Sequence, residues 1–432
     1  MKIAKRRKRN CVRVSRSNFL IALAALSIFA RPSSAATFDA AAKSTNEFGS
    51  DLYRTIATGE GNLCLSPYSV SCALAMTLAG ADGETRIEMA RVLHVDLSAD
   101  IDPSFAALQK SLEEMAAKTE KIAQDSKKRG GPSEPITIAI ANRLFAQAGY
   151  EFRPAFFARV KDYYDAPPEL LDFKTNAAAA TKRINDWVAK QTRDRIRDLI
   201  PQPLDVLTRL VLTNAIYLKA PWADEFNANA TKPEPFHARG KATVDVATMQ
   251  QRAHFRYAKR DGFTAVAVPY SGGDLQFLIL LPDKIDGVQA IEKKLSGAVL
   301  GDCAKMKESD VFLHLPKFKL EPPTIQLSEQ LQALGMKSAF DIPQGSANFD
   351  RMAPRKPNSY LAISDVFHKT FIAVDEKGTE AAAATAVVMM ELSARREMAE
   401  PIEVKVDRPF VYAIQHVPSG ACLFIGRVTD PR

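Results

Sequence analysis

Cysteine is scarce in this chain, with five residues in 432, at positions 11, 64, 72, 303 and 422. None forms a CxxC pair or the Cys/His spacing of a zinc site, so neither a disulfide framework nor a structural metal organises the fold. Cys64 and Cys72 sit in apolar stretches and read as small packing residues, and an oxidising compartment leaves one bridge open. The six histidines (94, 237, 254, 314, 368, 416) show no metal-ligand spacing. HExxH, GxSxG, a phosphate-binding loop, a GxGxxG opening a helix and an EF-hand loop are all missing. No cofactor is therefore expected, and an enzyme is disfavoured, although a Ser-His-Asp triad needs no local motif. No period of 20–50 residues recurs, which argues against solenoids and propellers.

Net charge is also scarce once its distribution is read. The formal charge of +8 comes from 58 Lys+Arg against 50 Asp+Glu, and residues 1–35 hold nine of the bases and no acid. The rest carries 49 against 50, which removes the main support for a nucleic-acid or anionic-membrane partner. With 46% apolar and 25% charged residues, this body is globular. The basic head runs into an apolar block, Phe19–Ala30, and then Ser33-Ser34-Ala35-Ala36, the anatomy of an export signal. A twelve-residue block is too short to span a bilayer stably, so no lasting membrane anchor is expected. Cys11 precedes the block and is not a lipoprotein cysteine. Residues 1–35 are read as the signal and 36–432 as one exported domain, periplasmic or secreted.

Local patterns place helices first. Phe38–Ile56 is amphipathic, and Asn62–Leu65 reads as a short strand. Ser66 is placed to cap a helix with Pro67 in its first turn and Gly80 at its stop. Thr85 and Glu88 have capping-box spacing, and 104–124 is a third amphipathic stretch. Lys127-Lys128-Arg129-Gly130-Gly131-Pro132 is a break, either a solvated loop or a polyanion site. Beyond it, β-rich runs (136–145, 208–218, 243–249, 262–270, 275–281, 311–315, 360–373, 403–406, 410–416, 422–428) surround helices at Pro154–Tyr164 and Ala177–Ile200. Without regular β-α alternation or a dividing linker, the expectation is one α+β domain with antiparallel or mixed sheets.

The most informative segment is 371–410. Thr379–Glu391 is mostly Ala, Thr, Val and Met. Read with period 2, one face is Thr379, Ala381, Ala383, Thr385, Val387 and Met389, and the other begins Glu380, Ala382, Ala384. Composition alone allows an Ala-rich helix. A face of small uncharged residues without Pro equally suits a strand that enters the middle of a sheet.

GTEAAAATAV (378–387) closely resembles the hinge of inhibitory serpins, and the resemblance is not confined to it. NLCLSPYSVSCALAMTLAGADGETRIEM (62–89), LVLTNAIYLKAPW (210–222), ISDVFHKTFIAVDEKGTE (363–380) and RPFVYAIQHVPSGACLFIGRVTDP (408–431) are similar to other serpin segments in the same order. Lys219-Ala220-Pro221-Trp222 departs from the family's usual turn.

This resemblance implies a serpin domain of three β-sheets and eight or nine helices, with an exposed reactive-centre loop over about residues 376–401. It implies a monomer that traps a target serine protease covalently, as an acyl-enzyme, when the cut loop enters the main sheet. The hinge would be Glu376, Gly378, Thr379, Glu380, Ala381, Ala382, Ala383, Ala384 and Thr385. Counting seventeen residues from Glu376 inclusively places the cut bond at Leu392-Ser393, suited to a chymotrypsin-like, cathepsin-G-like or elastase-like enzyme. Met390 and Arg395-Arg396 are the alternatives, the arginines suiting trypsin- or subtilisin-like proteases. Papain-like proteases and a non-inhibitory carrier of the same fold also stay open. Ser66, Ser69, Asn214 and His368 match the family's shutter, and Trp222 with Thr379 its breach, where insertion begins.

Overall fold

The computed structural model describes residues 37–129, 134–238, 242–357, 359–380 and 400–432. Residues 1–36, Ala381–Thr385, Met390, Leu392, Ser393, Arg395 and Arg396 lie outside the described residues.

From the N-terminus, helix α1 (Asp39–Ile56) and strand β1 (Leu63–Leu65) lead into α2 (Pro67–Gly80), α3 (Gly83–Val92) and the long α4 (Asp102–Lys128). Strand β2 (Thr137–Gln147), α5 (Pro154–Tyr164), β3 (Glu169–Leu171), α6 (Phe173–Gln191) and β4 (Leu210–Pro221) follow. The middle holds β5 (Lys232–Ala238), β6 (Ala242–Arg260), β7 (Phe263–Pro269), β8 (Leu275–Pro282), α7 (Val288–Lys294) and α8 (Gly297–Cys303). Then come β9 (Glu308–Pro316), β10 (Phe318–Leu320), β11 (Ile325–Gln326), α9 (Ser328–Ala333), β12 (Asp365–Asp375) and β13 (Gly378–Thr379). Strand β14 (Ile402–Lys405) and the hairpin of β15 (Phe410–His416) and β16 (Ala421–Val428) complete the chain.

The α+β expectation holds, with nine α-helices among the described residues. One sheet runs β10-β12-β13-β4-β2-β3, with β11 also on β12. A second ladder runs β1-β16-β15-β8-β7-β6-β9-β14, with β5 on β6. The 19-residue β6 joins two sheets in that ladder: its first part pairs with β5 and β9 and its end with β7. The three sheets expected are thus the seven-stranded one and the two parts that share β6.

Helix α2 is buried almost all round, which suits its lack of any charged residue. It lies against β2, β4 and β16, so its first turn sits beneath the line where β4 and β12 meet. Ser66 caps it as expected, its hydroxyl accepting from the Ser69 N–H at 3.2 Å. Gly80 ends it for a packing reason, since a Cβ there would lie 2.8 Å from Met352 and 3.1 Å from Phe156.

Two local expectations are corrected. The capping box at Thr85 and Glu88 does not form, because α3 starts earlier and both side chains reach out of the helix. Thr85 accepts from the Asn348 N–H, and Glu88 from the Lys337 and Ser338 N–H groups. The helix expected over 177–200 starts at Phe173 and stops at Gln191. Beyond it Arg193, Asp194 and Asp198 adopt left-handed backbone, while Ile196, Leu199 and Ile200 are buried and keep an apolar pattern without a helix. No helix among the described residues is long and apolar enough to cross a membrane.

Candidate functional site

Strands β4 and β12 lie side by side in the middle of the seven-stranded sheet, paired parallel from Val211↔Asp365 to Tyr217↔Phe371. Above that point they part, and β13 sits between them. Thr379 pairs with Val374 of β12 and Ala220 of β4, and Gly378 with Asp375 and Pro221, all antiparallel. The loop expected to leave the sheet at Glu376 therefore leaves at Glu380, four residues further on than the resemblance implied.

Residue chemistry explains why these two positions are already seated. Gly378 has φ 149°, and a Cβ on it would lie 2.1 Å from the Ala220 carbonyl oxygen, so only glycine fits the approach. Thr379 is wholly buried, with its hydroxyl 2.5 Å from that of Tyr270. Thr379 thus faces into the core beside Tyr270. Tyr270 stacks on Trp222 (centroids 4.6 Å apart, 9° between planes), and the Trp222 indole donates to the Asp375 carbonyl at 2.8 Å. Ala220 and Pro221, despite their departure from the family's usual turn, continue β4 and pair with the hinge.

Glu376 is anchored by Lys317 Nζ at 2.7 Å and by the Thr231 hydroxyl at 2.8 Å. Burial alone would raise its pKa, but the hydrogen bonds from Lys317 and Thr231 outweigh it and hold the carboxyl below the usual glutamate range. Glu380 is the corner at which the chain turns out of the sheet. It has left-handed backbone (φ 48°), and its amide still donates to the Ala373 carbonyl at 2.8 Å. Its carboxylate is ion-paired with Arg195 from the segment after α6. Burial raises its pKa, with Arg195 and Tyr217 opposing.

A polar cluster lies lower down the same strands. The His368 N–H at Nδ1 donates to Asn214 Oδ1, and Nε2 accepts from the Ser66 N–H at 3.0 Å. That pattern fixes the tautomer and requires a neutral ring. Ser66 donates to the Leu423 carbonyl (2.6 Å) and Ser69 to Asn142 Oδ1 (2.8 Å). Asn142 also accepts from Asn214 Nδ2 (3.1 Å) and donates to the Ser69 carbonyl (3.0 Å). Burial pushes the His368 pKa down to about 4.

All four expected shutter residues thus meet, and Trp222 meets Thr379 through Tyr270. The sequence reading missed Asn142, Tyr270, Lys317 and Arg195. Asn142 had a signal, as the one carboxamide in the largely apolar stretch 136–146. The other three come from distant segments with no local mark.

The family described as "Serpin (serine protease inhibitor)" matches over residues 43–431. An uncharacterized serpin-like protein of Thermococcus kodakarensis is 38% identical over 390 residues, 90% of this chain and 85% of that protein. A leukocyte elastase inhibitor of Xenopus tropicalis is 36% identical, over 89% of this chain and 97% of its own. Among solved structures, the thermophilic serpin tengpin in its native state has 27% identity and a TM-score of 0.76, covering 90% of this chain and 93% of that one. Serpin48 of the insect Tenebrio molitor has 29% identity and a TM-score of 0.72, covering 90% and 97%. With the hinge seated between β4 and β12 above a hydrogen-bonded Ser-Asn-His cluster, and with matches of this extent, the chain belongs to the serpin family.

Proposed function

We propose that this serpin inhibits serine proteases as a suicide substrate, offering Leu392-Ser393 as bait and trapping the acyl-enzyme by adding its cut loop to the seven-stranded sheet. The observation that carries this reading is the register of β13. Each further residue added to β13 moves one place down both β4 and β12, and the two partner registers agree: residue 382 falls between Tyr217 and Phe371, and Thr385 between Asn214 and His368. The residues that continue the inward face of Thr379 are Ala381, Ala383 and Thr385, none of which buries a charge. Insertion parts the His368–Asn214 hydrogen bond and brings a hydroxyl residue to that level, so polar groups can be satisfied in both states. At about 3.3 Å per residue, fourteen inserted residues carry the tethered enzyme roughly 45 Å, far enough to deform its oxyanion hole before deacylation.

A leucine at the cut bond favours hydrophobic primary pockets, and the name of the Xenopus relative supports an elastase-like partner. The protein acts without a cofactor or turnover of its own, as an exported monomer, a reading supported by the cationic and apolar head of residues 1–35. Mixing the purified protein with chymotrypsin or an elastase tests the claim. An SDS-stable complex is expected, with a released fragment that begins at Ser393. Clean loop cleavage with the protease still active would identify a carrier or substrate instead, and a fragment starting after Arg395 or Arg396 would move the bait bond.

A further inference from the structure

The far end of the loop returns to the fold through β14, a four-residue strand at the end of its ladder, with β9 as its sole strand neighbour among the described residues. It pairs parallel with β9, Ile402↔Val311 through Lys405↔His314, and the Val406 N–H donates to the His314 carbonyl at 2.9 Å. A short edge strand with one row of hydrogen bonds is easily opened unless a side chain holds it.

His314 is placed to do so. Its ring is buried between two carboxylates from different strands: Nδ1 is 3.0 Å and 3.2 Å from the oxygens of Glu234 on β5, and Nε2 is 3.5 Å from Glu403 Oε1 on β14. A carboxylate only accepts, so Nδ1 carries a hydrogen whatever the charge of the ring. Nε2 has no hydrogen-bond partner. In the neutral ring it presents a lone pair to a carboxylate oxygen, which repels β14. In the charged ring it presents an N–H, which attracts β14. Gln250 of β6 donates to Glu234 at 2.5 Å, Lys405 of β14 pairs with Glu403 at 3.1 Å, and Phe312 of β9 meets the imidazole edge-on at 4.6 Å. Histidine alone among these residue types ordinarily changes charge between pH 5 and 8.

We propose that His314 is a proton-operated clasp on β14, which docks the strand more firmly when the imidazole is charged and loosens it when neutral. Glu234 stays beside the ring in either case, so the switch lies in the Glu403 contact, which exists only while β14 is docked. Protonation therefore favours the docked strand, and the strand is expected to open less at pH 5.5 than at pH 8.0. The clasp does not require the inhibitory reading, because strand opening can be followed without any protease.

Hydrogen exchange of the full protein at pH 5.5 and pH 8.0, corrected for intrinsic exchange and referenced to β15, reads this opening. Opening of 402–406 is expected to be roughly three- to tenfold less at pH 5.5 in the wild type. The difference should vanish in His314→Gln and in Glu403→Gln. Glu403 is half-exposed, so its variant decides the matter even if His314→Gln does not fold. A wild-type ratio equal to that of β15, a ratio of opposite sign, or an undiminished ratio in Glu403→Gln overturns the proposal.

Discussion

Gly378 and Thr379 show how much depends on single atoms at the hinge. A methyl group at 378 would meet backbone atoms of Ala220 and Pro221, which cannot move aside as a side chain can. Gly378→Ala is therefore expected to push the hinge out of the sheet, and titration against chymotrypsin should show loop cleavage with few or no SDS-stable complexes. Thr379→Arg should fail in the same assay by burying an unpaired charge, at a cost of several kcal/mol. Normal trapping by either variant would refute the seating described here. His368 gives a prediction in pH. Its ring is held neutral with a pKa of about 4, against about 6.5 in an unfolded chain, which therefore takes up the proton first. Stability is complete above about pH 6.5 and falls as pH drops toward 4, by on the order of 3 kcal/mol from this residue. His416, also pushed down to about 4 by burial, adds a loss of the same sign. Denaturant midpoints between pH 7.5 and 4.5 should fall less steeply in His368→Gln than in the wild type.

Between elements, the junction of α2, β2 and β4 depends on Asn142, which bonds Ser69 on one side and Asn214 on the other. Asn142→Ala leaves the Ser69 hydroxyl and Asn214 amide short of an acceptor, and a loss of about 1–3 kcal/mol is expected in equilibrium unfolding. A double-mutant cycle with Asn214→Ala should show coupling above about 0.5 kcal/mol, and strict additivity would mean that the bond carries no energy. Elements whose ends are set by local chemistry were legible in the sequence. Pro154 begins α5 and an αL residue, Asp165, follows its end at Tyr164, while Pro418-Ser419-Gly420 turns β15 into β16. Elements set by distant partners were not. Strand β5, with two prolines in seven residues, exists because β6 pairs along its whole length. The apolar spacing beyond Gln191 suggested helix, yet those side chains are buried from irregular backbone in which the Thr192 hydroxyl accepts the Ile196 amide. In the site, segments with family-like motifs were found, and Tyr270, Lys317 and Arg195 were not, because only the tertiary fold brings them to Thr379, Glu376 and Glu380.

At the scale of the whole molecule, the parallel β4–β12 contact is a place where the sheet can accept one more strand. Completing that strand replaces one parallel ladder with two antiparallel ones, on both sides of the inserted chain. Fourteen or so inserted residues at roughly 0.5–1.5 kcal/mol net per ladder hydrogen bond amount to on the order of 10 kcal/mol, even after the His368–Asn214 bond is parted. On the proposed mechanism the driving force belongs to the sheet and not to the protease, and cutting the loop releases it. Cleavage of the loop by a protease that is not trapped, with both fragments kept associated, should therefore raise the melting temperature of this protein by at least 10 °C. The same cleavage in Thr379→Arg should raise it far less, because the arginine blocks entry at the first inward position. A cleaved wild-type protein that melts no higher than the intact one would mean that its sheet does not take up the loop, and trapping by insertion would fall with it.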